Sequence, residues 1–581
     1  MSPTSRSPSR GPDSSKDVTE RALDRWVTWG LVLYTLAIAA ALLLTGTHSW
    51  SRWTDLRAVL GMGSADITYD DGFYYLRIAQ HIAHGAGSTF DGVHPTNGYH
   101  PLWLLCLIPI FWVTREPDIA LLSAVALQVL MMSICTGLTY CVARFDFGRL
   151  GAILAALLWV HTQLPYRTTL SGMESGIHAA CTITVIYFYR RSFADRRPQP
   201  RAHLVLGMLL SLTFLARLDT ILLFCCVAMA LGWRELRAGF TADSLRRLLA
   251  LCLPVAGVLL LYLSTNLRLF GHVVPVSGVI KRDWAARLLA QDPVYQAHGW
   301  LVAKLVNLLW APRYMKHVYM LFLFVGSVGV AGIWLLTIAT RKGNKVHPRL
   351  TWVVTWFARA PLLWGSLVLF SGLQLSFFLV VYHDGYSFQR WYYVIQPWFG
   401  AMMIAAVAEN TCGCVRSYAP RLTRAPHLAS FISIAALSAV PLASARTLMQ
   451  WHKEARLGVS REPLFAAAQW VGANVPSTAV VGAWNAGIIS YLSQRRVVNL
   501  DGRVNSWDFY QTKQYDLCRY WREADVSYLV DTFKIDSEVA FINTFYAPGV
   551  DLSSCFAQFD RVWTGPAYLG TSQHAMAFKL Y

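Results

Sequence analysis

Long apolar runs separated by short polar stretches recur as far as Leu448. They are Trp26–Gly46, Asp118–Ala143, Leu150–Leu164, Gly176–Tyr189, His203–Trp233, Leu248–Thr265, His317–Thr340, Pro361–Tyr382, Val394–Ala408 and Leu428–Leu448. Each reads as a membrane helix, and His203–Trp233 is long enough for a tight hairpin. About 20 apolar residues cross a bilayer, and several runs are shorter. Short spans predict a bundle with a polar cavity at membrane depth. Leu102–Trp112 is ambiguous: if it and Asp118–Ala143 both crossed, Arg144 and Arg149 would fall outside. Hydropathy therefore predicts roughly 11 to 13 spans.

After Leu448 the pattern changes. Short β-like runs ("TAVVGAW", "RRVVNLDG", "VSYLVDT", "DRVWTG", "AMAFKLY") alternate with helical stretches such as "PLFAAAQWVGANV". This predicts a soluble α/β domain over 449–581. The "VGAWNAG" turn lacks the full dinucleotide-binding spacing. The expected organisation is a disordered cytoplasmic N-terminus (1–25), a transmembrane domain (26–448) with a first outer loop (47–101), and the tail domain. The fold class is mainly α, a polytopic helical bundle with a C-terminal extracytoplasmic α/β domain.

Composition supports a membrane protein: 55% of the 581 residues are hydrophobic, only 14% are charged, and mean hydropathy is +0.37. Soluble domains carry about 25% charged residues. The net charge of +18 does not indicate nucleic acid, because it sits between spans. Arg190/Arg191/Arg196/Arg197/Arg201, Arg234/Arg237/Arg246/Arg247, Arg341/Lys342/Lys345/Arg349 and Arg416/Arg421/Arg424 mark cytoplasmic loops. The loops of opposite parity then face outward. Cys518 and Cys555, in the outer tail, can form a disulfide.

Ionisable residues at membrane depth are costly and point to function, and the outward segments carry several. The first is "ITYDDGFYYLRIAQHIAHGAGSTFDGVHPTNGYHPLW", Ile67–Trp103. Phe73, Ile78 and Ile82, with Tyr74 and Tyr75, predict a helix with one apolar face. Asp70 and Asp71 fall at its start, where negative charge is favoured. Adjacent helical positions point about 100° apart, so one aspartate can cap while the other faces a cavity as a general base. His94, Asn97 and His100 follow, in a spacing that matches no closed zinc site. The second is Glu174 in "SGMES", and the third is Arg217 with Asp219 in "ARLD". The fourth is cationic: Lys281, Arg282 and Arg390 suit a phosphate group.

These stretches resemble the GT-C superfamily of membrane glycosyltransferases. The resemblance rests on "DDGFYYLRIAQHIAHGAGSTFDGVHPTNGYHPLW", "SGMES", "FLARLD", "FGHVVPVSGVIKR" and "VVNLDGRVN", from about Asp70 to Asn505. The superfamily includes aminoarabinose, mannosyl and arabinofuranosyl transferases. The resemblance implies transfer of a sugar from a polyprenyl-phosphate donor to a glycan, lipid or protein acceptor on the outer face. By position, Asp70 or Asp71 is the catalytic base, with Asp70 marginally preferred. Tyr74, His94, Asn97, His100, Glu174, Arg217, Asp219, Lys281, Arg282 and Arg390 are the expected substrate-binding residues. The tail lacks the WWD-type signature of the metal-dependent oligosaccharyltransferase branch, so metal independence is the favoured expectation, with a divalent metal at the His-rich loop as the alternative. The other readings are a lipid-linked sugar flippase and a non-enzymatic envelope-assembly protein.

Overall fold

The computed structural model describes residues 14–45, 67–161, 169–193, 198–314, 360–383, 389–418, 462–512, 514, 516–534, 558–567 and 573–580. The expected spans His317–Thr340 and Leu428–Leu448, and residues 1–13, lie outside the described residues. The first part of the chain is helical. Helix α1 covers Ser14–Thr45, α2 Asp70–Ala83, α3 Pro101–Val113, α4 Pro117–Ala143 and α5 Arg149–His161. Then come α6 (Ser175–Phe193), α7 (Pro200–Ala216), α8 (Ile221–Arg237), α9 (Ala242–Phe270), α10 (Val276–Gln291), α11 (Pro293–Tyr314), α12 (Pro361–Val381) and α13 (Ile395–Tyr418).

Among the described residues, α4, α9 and α12 are long and apolar enough to cross a membrane, while α3, α5 and α7 are apolar but shorter. Large apolar side chains point outward from the bundle: Leu253, Leu260 and Leu261 on α9 are 62%, 66% and 66% exposed. Apolar area of that extent on an outer face suits lipid rather than water.

Ion pairs define one end of the bundle. Asp24 on α1 binds Arg144 and Arg149 at the turn between α4 and α5. Arg190 at the end of α6 pairs with Asp146 at 2.6 Å, and Arg247 on α9 pairs with Glu235 on α8. Helix α4 thus runs antiparallel to α1, with Arg144 and Arg149 at the end that carries the other basic loops. The ambiguous run Leu102–Trp112 falls within α3. Helix α3 has 13 residues, which is about 20 Å at ~1.5 Å per residue, short of a ~30 Å hydrocarbon core. The His203–Trp233 run is broken at its middle. Helix α7 stops at Ala216, a 3-10 turn covers Leu218–Thr220, and α8 starts at Ile221. The "ARLD" charges therefore sit at a tip, at the end opposite the basic loops.

The tail elements are α14 (Glu462–Asn474), β1 (Val480–Ala483), α15 (Ala486–Ser493), β2 (Arg496–Asn499), α16 (Trp507–Gln511), α17 (Leu517–Glu523), β3 (Val526–Lys534), β4 (Phe559–Ala567) and β5 (Gln573–Leu580). They form a five-stranded sheet in the order β2-β1-β3-β5-β4. β1 pairs parallel with β2 and β3, and β5 pairs antiparallel with β3 and β4. Each strand coincides with one of the β-like runs. Cys518 is disulfide-bonded; Cys555 lies outside the described residues.

Helix α2 differs from its expected one-sided form, because Gly72 to Gln80 are all buried. One face packs on α3 and the other is covered by α15 of the tail. The polar residues of that second face are used there. Arg77 and Gln80 both donate to Gln494 Oε1, at 3.1 and 3.0 Å, and Arg77 also donates to the Arg495 carbonyl at 3.2 Å. The polar stripe of α2 is a docking face for the tail, not a solvent face.

Candidate active site

The two aspartates of α2 point to different places. Asp70 Oδ1 accepts the backbone N–H of Ile488 at 2.8 Å, in the first turn of α15. An acidic group there satisfies an unpaired helix N–H and favours the helix dipole. Asp70 thus caps a helix 418 positions away rather than its own. Its Oδ2 is buried without a hydrogen-bond partner among the described residues. Burial, with Asp71 adding to it, pushes this carboxyl up to about 7 despite the Ile488 hydrogen bond. Across the same turn, Asp531 accepts the N–H groups of Trp484 and Asn485 at 2.7 and 2.8 Å. Burial raises its pKa as well.

Asp71 lines a cavity of about 70 Å³ at the end opposite the basic loops, and Asp70 does not. Of the pair, Asp71 is the one that faces open space. Tyr74, His100, Glu174 and Lys281 share the wall with Asp71. Close backbone approach places the first of these elements. A Cβ on Gly72 would lie 2.7 Å from the Ser171 carbonyl, and Tyr69 N–H donates to that same oxygen at 2.8 Å. The start of α2 and the loop carrying Glu174 are thereby pressed together.

Glu174 and Arg217 form a buried network. Arg217 Nη1 donates to Glu174 Oε1 at 2.8 Å and to the Trp391 carbonyl at 3.0 Å, and Nε donates to Asp219 Oδ1 at 3.0 Å. Its guanidinium lies 5.1 Å from the Tyr392 ring centroid. Tyr75 donates to Glu174 Oε2 at 2.9 Å, and Gln374 Nε2 donates to Asp219 Oδ2 at 2.6 Å. Burial opposes ionisation of both carboxyls, but Arg217 outweighs it, together with His100 at Glu174, and both stay below the usual range. Burial holds the His100 imidazole below its usual value against the pull of Glu174. Arg217 and Asp219 do not line the cavity. Their pairing instead ties the loop carrying Glu174 to the tip between α7 and α8.

The remaining expected residues lie elsewhere. Asn97 ties the loop after α2 to α9 and α10. Its Nδ2 donates to Asn266 Oδ1 at 2.8 Å, and its Oδ1 accepts Val276 N–H at 3.0 Å. It thereby holds the helix that presents Lys281. His94 is bound to Asp91 at 2.7 Å. Burial opposes ionisation of Asp91, but the His94 hydrogen bond outweighs it, and the carboxyl falls to about 2. The Arg282 side chain is 60% exposed and turns to Asp283. Arg390 opens a 3-10 turn over Arg390–Tyr392, and its side chain lies outside the described atoms. Among the described residues, no group of three or more His, Cys, Asp or Glu could hold a metal ion.

One charged residue of the cavity wall was not singled out from the sequence, and it comes from the tail. Arg503 Nη1 donates to both oxygens of Asp71, at 2.9 and 3.2 Å. Its Nε donates to Asp501 Oδ2 at 2.6 Å, and Asp501 is fully buried at its side chain. The guanidinium also lies 5.7 Å from the Tyr74 ring centroid and 5.9 Å from that of Trp284. Two glycines bring the tail this close. A Cβ on Gly98 would lie 2.0 Å from the Arg503 carbonyl, and one on Gly487 would lie 2.1 Å from the Asp70 carbonyl. "DGRVN" is visible in the sequence, but its partner Asp71 is 432 positions away, and nothing local connects them.

Residues 117–265 match the family described as dolichyl-phosphate-mannose-protein mannosyltransferase. Residues 449–575 match a domain of unknown function (DUF8728). No curated protein matches the chain. Among solved structures, it is similar to the archaeal oligosaccharyltransferase AglB from Archaeoglobus fulgidus in complex with an inhibitory peptide and a dolichol-phosphate. That similarity has a TM-score of 0.50 at 13% identity and covers 91% of this chain and 72% of that one. It is also similar to ArnT from Cupriavidus metallidurans bound to undecaprenyl phosphate, with a TM-score of 0.50 at 12% identity, covering 94% of this chain and 98% of that one. At these identities the likeness is one of fold, and it extends through the tail as well as the bundle. The chain has the fold of the GT-C superfamily of membrane glycosyltransferases.

Proposed function

We propose that the chain transfers a sugar from a polyprenyl-phosphate donor to an acceptor hydroxyl at the outer face of the cell membrane, with Asp71 as general base. The observation that carries this reading is a carboxylate, Asp71, and an ammonium, Lys281, on the wall of one cavity. Among the described residues Lys281 has no ion-pair or hydrogen-bond partner. The family match over 117–265 and the two structures holding dolichol-phosphate and undecaprenyl phosphate support the donor class. The multi-pass orientation, with basic loops inside and the tail outside, is part of the same proposal.

The chemistry is as follows. The Asp71 carboxylate takes the acceptor hydroxyl proton as the oxygen attacks the anomeric carbon. The bond from that carbon to the phosphate oxygen breaks, and the electron pair leaves with the polyprenyl phosphate. The transition state is oxocarbenium-like, and Lys281 stabilises the charge developing on the leaving oxygen. No metal enters these steps. Asp70 acts only through the tail it caps. The test is transfer by the purified chain from a panel of polyprenyl-phosphate sugars, with Asp71→Asn and Asp70→Asn beside the wild type. Asp71→Asn is expected to abolish transfer in a folded protein, and Asp70→Asn to retain a measurable fraction. Full activity in Asp71→Asn overturns the assignment.

A further inference from the structure

Asp71 is occupied in the free protein. Arg503 Nη1 donates to both of its oxygens, and these charge-assisted bonds stand where an acceptor hydroxyl would have to approach. Arg503 is in turn held from behind by Asp501, which anchors its Nε and leaves Nη1 facing the cavity. The three side chains carry two negative charges and one positive charge, so the group is an anion with a cation at its centre. Arg503 is thus a donor-rich, planar, permanently charged group on the cavity wall, of the kind that grips phosphate oxygens in pairs.

We infer that the tail domain supplies Arg503 as an exchangeable partner, which masks Asp71 in the empty site and moves to the donor phosphate when it enters. This rests on the function proposed above and adds a residue and an order of events to it. Asp501 is the pivot, because it keeps Nε fixed while Nη1 changes partner. The base is unmasked only where a donor phosphate is present, so base activation follows donor binding. Asp71 and the phosphate compete for one cation, and the competition is measurable as binding.

The experiment measures binding of undecaprenyl phosphate to the full chain in lipid nanodiscs, with undecaprenol and inorganic phosphate as parallel probes. Three proteins are compared: wild type, Asp71→Asn, and Asp71→Asn/Asp501→Asn/Arg503→Gln. The last change removes one positive and one negative group relative to Asp71→Asn, so the net charge of the site is unchanged. Removing both members of a buried pair is far milder than removing one, and thermal unfolding of each variant verifies the fold. Asp71→Asn is expected to bind the phosphate lipid about tenfold tighter than wild type. The triple variant is expected to lose at least tenfold relative to Asp71→Asn, with undecaprenol binding unchanged. A charged hydrogen bond of this kind is worth about 1.5–3 kcal/mol, which corresponds to a factor of ten or more. Equal affinity of the triple variant and Asp71→Asn overturns the exchange and leaves the proposed function standing. Wild type that does not distinguish undecaprenyl phosphate from undecaprenol overturns the proposed function, and the exchange with it. Equally tight binding of inorganic phosphate assigns the anion site to a free phosphate and overturns the lipid-linked donor.

Discussion

Titration of Asp70 is expected to appear in the stability of the whole chain. The perturbation is Asp70→Asn, which keeps an oxygen to accept the Ile488 N–H and removes the proton equilibrium. In the folded chain the Asp70 pKa is raised from 3.8 to about 7, so the folded state holds the proton more tightly than the unfolded one. Between those values the folded state binds more protons, and stability falls as pH rises. Below about 4 both states are protonated, and above about 7 both are ionised, so the change is confined to that window. The full difference corresponds to a ceiling of ~4 kcal/mol at ~1.4 kcal/mol per pKa unit. Over the accessible range from pH 5 to 7 it is about 2 kcal/mol, because the folded group is already half ionised at pH 7. Asp531 is raised in the same sense, as its burial requires, but it is present in both proteins and drops out of the difference. The assay is thermal unfolding of the detergent-purified chain at half-unit steps from pH 5 to 8, followed by tryptophan emission. Wild type should lose stability towards pH 7 and then level off, while Asp70→Asn should be flatter over the same range. Parallel curves for the two proteins refute the buried, proton-holding Asp70.

Two further outcomes follow from the packing. Glu174→Gln removes one of the carboxylates that neutralise the buried Arg217 guanidinium, and should cost about 3–5 kcal/mol, read as a large fall in melting temperature. Gly98→Ala places a methyl 2.0 Å from the Arg503 carbonyl, where the contact is backbone and cannot turn aside. Overpacking of this kind costs about 1–3 kcal/mol, and transfer activity should drop while the helical bundle keeps its circular dichroism.

Much of the fold could be read in the sequence because its signals are local. The five tail strands coincide with short runs rich in β-branched, aromatic or other apolar residues, and the apolar runs mark helices. The basic clusters were equally legible, and the structure ties several of them to Asp24, Asp146 and Glu235. The cavity residues were harder, because an ionisable residue between spans has the same appearance whether it serves a substrate or another side chain. Arg217 reads as a phosphate ligand in the sequence, and in the structure it binds Glu174, Asp219 and the Trp391 carbonyl. Asn97 and His94 are likewise spent on holding loops. The choice between Asp70 and Asp71 depended on a helix in the tail, and Arg503 on a partner far upstream. Neither signal exists within a window of neighbouring residues.

The 432-residue gap between Asp71 and Arg503 also sets a clock during synthesis. At about 5–20 residues per second, the aspartate leaves the ribosome roughly 20 to 90 s before the arginine. Throughout that interval the nascent bundle exists without the tail, with its carboxylate unmasked and the polar stripe of α2 bare. Assembly of the site must wait for the folding of the tail. A chain truncated before residue 503 would lack the cation that meets Asp71, so a complete cavity wall requires translation well into the tail.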